Sequence, residues 1–154
     1  MLFLCNFFRS RLAVLVALAA GPFVAQAADV RDAWARSTVK GQTASVVYLT
    51  VTSATPALLV GVSSPVAAVV QIHAMAMQGT TMKMRAVDAV DLPAGTAVEF
   101  RSGGLHVMLQ DLRQSLASGD QLPLILRIEG ADHRVVEQAV SVDVRDAPPM
   151  MKSR

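Results

Sequence analysis

Two histidines and five methionines lie between positions 73 and 108, spaced so that they could hold one soft metal ion. His73, Met75 and Met77 are two residues apart, as are Met82 and Met84, and His106 and Met108. In an extended strand, residues i and i+2 project from the same face, about 6.5–7 Å apart along the chain. Each group can therefore aim its donors at one point. His106 follows Gly103-Gly104, a pair that permits a tight turn and presents the histidine at the start of a strand, with Val107 facing the core.

One strand carrying His73, another carrying His106 and Met108, and Met84 from the segment between them would supply two imidazoles and two thioethers. That donor set suits copper(I). Thioether is soft and uncharged, it is a poor ligand for zinc, magnesium or calcium, and it loses no proton on binding. A methionine taken singly is more often a core filler than a ligand, and a histidine on a strand is more often simply hydrogen-bonded. Here the residues occur together on shared faces, which favours a metal site. Met75 stands in reserve as a ligand, and Met77 and Met82 read as rim or core residues. His133, in Glu129-Gly130-Ala131-Asp132-His133, reads as a hairpin-turn residue, and Met150-Met151 are at best auxiliary.

The elements that must position these donors are strands. Short apolar, β-branched segments alternate with Gly, Pro, Ser and Asp, and they predict strands over residues 30–35, 44–51, 58–62, 68–73, 82–86, 97–101, 106–109, 122–128 and 134–144. Turn signals separate them, among them Leu92-Pro93-Ala94-Gly95, Ser102-Gly103-Gly104 and Ser118-Gly119-Asp120. Many strands with few helix signals predict an all-β domain, a Greek-key sandwich or barrel.

The first residues read as an export signal rather than as part of that domain. Arg9 and Arg11 supply positive charge, residues 12–20 are apolar, and Ala25-Gln26-Ala27 is a small-residue cleavage site. The apolar run is well short of the ~20 residues that span a bilayer. The expected organisation is a secretory signal peptide over residues 1–27, a copper-binding β-domain over 28–145 and a short flexible tail over 146–154. No membrane span remains after cleavage, and the expected location is the periplasm.

Removing the leader takes Arg9 and Arg11 from the 14 basic residues and leaves 12 against 12 acidic ones. A near-neutral chain without a basic run argues against nucleic acid as a partner. The only cysteine, Cys5, leaves with the leader, so the mature chain has no thiol for a disulfide, a nucleophile or a thiolate site. An exported soft-metal site without cysteine has to rely on methionine. The same lack argues against a blue-copper electron-transfer centre, which uses a thiolate. No Ser, His and Asp spacing suggests hydrolysis, so the chain reads as a binding protein and not an enzyme.

The spacing of His73, ten residues, Met84, twenty-one residues, His106, one residue and Met108 resembles the signature of the periplasmic PCuAC copper chaperones. Asp32-Ala33-Trp34-Ala35-Arg36, Gly104-Leu105-His106-Val107-Met108-Leu109 and Ser118-Gly119-Asp120 support the resemblance, which extends over the mature chain. It implies a cupredoxin-like β-barrel with His73, Met84, His106 and Met108 as copper(I) ligands. It also implies delivery of copper to a periplasmic or membrane-anchored acceptor, a respiratory oxidase subunit with a Cu(A) centre or its assembly factor. Relatives with a His- and Met-rich C-terminal extension can take copper(II) there; this chain has no histidine after Met150-Met151. A copper buffer would need the same site, and only the resemblance favours delivery over storage.

Overall fold

The computed structural model describes residues 28–146. The expected signal peptide and nearly all of the expected tail lie outside the described residues. Ten strands run in order: β1 (Asp29–Arg36), β2 (Ala44–Thr52), β3 (Ala57–Ser63), β4 (Ala67–Gln78), β5 (Thr81–Val87), β6 (Val90–Leu92), β7 (Ala97–Phe100), β8 (His106–Leu112), β9 (Gln121–Gly130) and β10 (Val135–Arg145). There is no helix among the described residues.

Period-two alternation drives these strands. In β2, Ser45, Val47, Leu49 and Val51 are buried while their neighbours are partly exposed, and in β9 the buried set is Leu122, Leu124, Leu126 and Ile128. Pro123 is tolerated inside β9 because it lies beyond the stretch paired with β3, which begins at Ile125. Its carbonyl accepts a hydrogen bond from Ser64 Oγ at 2.6 Å.

The strands join in the order β5-β4-β8-β2-β1-β10-β9-β3-β6, with β7 also paired to β2. Strands distant in sequence are therefore neighbours, as in a Greek key, and β1 and β10 run parallel. The sheet wraps around one apolar cluster in which Val47, Leu49, Val107 and Leu109 pack with Leu122, Leu124, Leu126 and Val142. This is the all-β, cupredoxin-like barrel or sandwich that the sequence predicts.

Three details differ from the sequence reading. β6 is an additional strand, three residues long with Asp91 at its centre, held by pairing with Ala57, Leu58 and Leu59. β4 continues to Gln78 instead of stopping at His73, because Ala74 to Gln78 pair residue for residue with β5. A two-residue link, Gly79-Thr80, closes this hairpin, with Gly79 at φ +64° as such a tight turn requires. Finally, β1 is not regular. Asp32 sits at φ +51° and the pairing with β2 slips between Arg31 and Trp34, a bulge that brings Trp34 opposite Tyr48.

Candidate metal centre

The register of β4 against β8 builds the site. Ile72 pairs with Val107, and both are buried in the core. Burying each such side chain contributes about 1.5–3 kcal/mol. The adjacent pair, His73 and His106, is therefore turned to the opposite, outward face. A slip of one residue would turn the histidines into the apolar core and the apolar pair away from it, so the core fixes where the imidazoles stand. The two ring centroids are 5.8 Å apart at 71°, an edge-on arrangement.

His106 is 5% exposed, and its orientation is set from the turn before it. Gly103 takes φ +79°, Gly104 N–H donates to the Arg101 carbonyl at 3.0 Å, and Arg101 N–H donates to the Leu105 carbonyl at 2.7 Å. The Gly104 carbonyl then faces two ways. It accepts from Met75 N–H at 3.3 Å, which ties β4 to the turn, and it lies 3.1 Å from His106 Nδ1. With Nδ1 donating to this carbonyl, Nε2 keeps its lone pair, which is the arrangement a metal-binding imidazole needs.

His73 has the complementary tautomer. Its Nε2 lies 3.3 Å from Gln71 Oε1, an acceptor, so Nε2 carries the proton and Nδ1 the lone pair. Nδ1 is buried without any hydrogen-bond partner. Buried polar atoms are nearly always paired, and an unpaired one costs about 1–3 kcal/mol. Burial, and next the proximity of His106, hold the His73 pKa below its ordinary value. The ring is thereby kept neutral, the form that binds a metal.

The thioethers share this face. Met108 follows His106 by two residues and sits opposite Gln71, partly buried. Met75 follows His73 by two residues and sits opposite Met84, which is 51% exposed. Of the four residues the sequence singles out, His73, His106 and Met108 occupy adjacent positions on one face. Met84 is one pair further along, on β5. It is diagonal to His73, whose direct partner on β5 is Ala86. Diagonal neighbours in a ladder are about 7–8 Å apart, within reach of long side chains. Met75 is about as far from His73 along its own strand, so Met75 and Met84 approach the imidazoles as a facing pair.

No methionine among the described residues belongs to the buried core; all five stand on this outward face. Of the two readings of Met77 and Met82, rim or core, the structure gives the rim: they face each other at the hairpin end, 63% and 46% exposed. His133 is in the β9–β10 turn at φ +59°, as expected, 2.7 Å from Glu129 and away from the site. Sequence reasoning missed Gln71 and the Gly104 carbonyl. Gln71, two residues before His73 on the same strand face, was findable by the same i, i+2 rule.

Among the described residues, no three His, Cys, Asp or Glu side chains come together as a metal cage. Two imidazoles with one free nitrogen each, surrounded by thioethers and without a carboxylate, match a soft monovalent ion far better than a hard divalent one. The methionine end of this face is exposed, at Met84, Met82 and Met77, while His106 and the Nδ1 of His73 are buried. A concavity of about 190 Å³ between β3, β4 and β5 reaches Gln71 and Ala86 but neither histidine.

The chain is similar to known proteins in sequence and in fold. The LpqE-like lipoprotein family matches over residues 28–142. A protein of Leifsonia xyli subsp. xyli that carries a lipoprotein name is 28% identical over 123 residues, 79% of this chain and 72% of its own. Among solved structures, the copper-bound PCuAC domain from PmoF2 is similar with a TM-score of 0.62 and 26% identity, covering 77% of this chain and 92% of that one. A copper(I)-bound protein from Deinococcus radiodurans has a TM-score of 0.56 at 24% identity, over 74% of this chain and 75% of its own. The latter likeness shows the fold alone.

Proposed function

This chain belongs to the LpqE-like family, and from that premise we propose that it is an exported copper(I)-binding protein that carries one ion on the outward face of β4 and β8 and hands it to an acceptor. The ligands in this reading are His73, His106, Met108 and a thioether from the Met75–Met84 pair, with Met84 the one the motif spacing favours. The observation that carries it is the buried, unpartnered Nδ1 of His73, beside His106 on the only methionine-bearing face of the described residues. The solved PCuAC domain in its copper-bound form supports the choice of metal.

Copper is cargo here, not a resident cofactor. Holding it requires no deprotonation at the thioethers, and releasing a methionine leaves no unpaired charge behind. The exposed thioether of Met84 gives an incoming thiolate or imidazole a place to begin stepwise ligand replacement. The acceptor we propose is a periplasmic or membrane-anchored protein, a respiratory oxidase copper centre or its assembly factor. The role is that of a chaperone without catalysis of its own.

Anaerobic copper(I) titration of the exported form, followed by mixing with a thiolate-containing apo-acceptor, tests the reading. The expected result is uptake of one copper(I) and transfer faster than release into a chelator of similar affinity. Equal rates for acceptor and chelator would favour a copper buffer, and no uptake would remove the function altogether.

A further inference from the structure

The β4–β5 hairpin carries more sulfur than the four-donor site uses. Beyond His73, its outward face consists of two successive facing pairs, Met75 with Met84 and then Met77 with Met82. Facing residues in an antiparallel ladder have Cβ atoms about 4.5–5.5 Å apart, so both side chains of a pair can reach one ion between or above them. Successive pairs are about 6.5–7 Å apart along the strand. Exposure falls inward along β4, from 63% at Met77 to partly buried at Met75 and His73. On β5, Ala86 faces His73, so no bulky side chain covers the histidine from that strand.

An exposed apolar patch would ordinarily suggest protein docking. Residue choice argues otherwise. The chain builds its core from Leu, Val, Ile, Ala, Phe and Trp without a single methionine among the described residues. On the outward face of this hairpin the pattern is reversed, and every large apolar residue after His73 is methionine. Leu or Ile would serve a docking surface equally well, but of these apolar side chains only methionine carries a donor atom for a metal. Lys83 and Arg85 alternate onto the opposite face of β5 and leave the thioether row uncharged.

We propose that Met77 and Met82 form a second, weaker site for a soft monovalent cation, copper(I) or silver(I), at which the ion is loaded and unloaded on its way over Met75 and Met84 to His73 and His106. The proposal rests on the copper-carrying function given above. Two thioethers without imidazole bind more weakly than the mixed site, which is what a transfer station requires, because an ion that arrives must also leave. Each step exchanges one neutral ligand for another. The metal stays monovalent, and no electron or proton changes hands.

Methyl resonances of the methionines and ring resonances of the histidines, followed by NMR during silver(I) titration, give the test. The protein is compared with its Met77→Leu, Met82→Leu double variant, both positions being exposed enough for leucine to leave the fold unchanged. The expected result is a first event at His73, His106 and Met108, and a weaker second event at the methyls of Met77 and Met82. The double variant should keep the first event at unchanged affinity, lose the second, and take up copper(I) from a chelate severalfold more slowly under anaerobic conditions. Methyls of Met77 and Met82 that never move, or a double variant that loads at the original rate, would overturn the proposal. Failure of the histidines to respond at all would instead remove the primary site, and the station with it.

Discussion

His73 and His106 are direct partners across the β4–β8 ladder, their ring centroids 5.8 Å apart. The partnership is enforced from the far side of the sheet, where Ile72 and Val107 pack into the core. Each imidazole is also held in one tautomer by a neighbour two residues earlier in its own chain segment, Gln71 for His73 and Gly104 for His106. The free nitrogens are therefore Nδ1 on one ring and Nε2 on the other.

This arrangement fixes the pH dependence. Burial and the neighbouring His106 hold the His73 pKa below the ordinary histidine value of about 6.5. The unfolded chain takes up a proton at His73 as pH falls through that ordinary value, while the folded chain resists until the lowered pKa is reached. Across this window the metal-free fold loses stability with falling pH. Copper(I) competes with fewer protons for the same reason, so affinity should persist somewhat below pH ~6.5 and weaken on further acidification. Chelator competition across that range checks it; affinity already half lost above the ordinary value would contradict it.

Met108→Leu should weaken copper(I) binding by more than about tenfold. Because leucine is close in volume and the site is only partly buried, the stability cost should stay under about 1.5 kcal/mol. Chelator competition and thermal unfolding on the same sample separate the two effects. Normal copper binding with a much lower melting temperature would make Met108 a packing residue.

The mature chain should begin at Ala28. Its backbone N–H donates to Gln138 Oε1 at 2.9 Å, and its carbonyl accepts from Gln138 Nε2 at 2.7 Å. The α-ammonium created by cleavage after Ala27 is still a donor, so this clasp survives processing. Intact-mass measurement of the exported protein should give residues 28–154; a lipid on Cys5 would contradict it.

The all-β fold was legible because β2 and β9 alternate buried and exposed residues so regularly. β4 beyond His73 was not, since Ala-Met-Ala-Met has no contrast of polar and apolar residues, and only its partner β5 makes it a strand. β6 was hidden by its acidic residue and its three-residue length. The shared face of His106 and Met108 followed from i, i+2 spacing alone. What spacing could not give is the register between strands, which places His73 opposite His106 and leaves Met75 directly facing Met84. The bulge at Asp32 and the double use of the Gly104 carbonyl are backbone events, invisible in side-chain pattern.

X-ray absorption at the copper edge, on protein loaded with one copper(I), tests the central claim most directly. The account predicts a mixed first shell of nitrogen and sulfur neighbours, with the sulfur contribution reduced in Met108→Leu and the nitrogen contribution reduced in His73→Ala. A first shell of nitrogen and oxygen alone, unchanged by Met108→Leu, would contradict it.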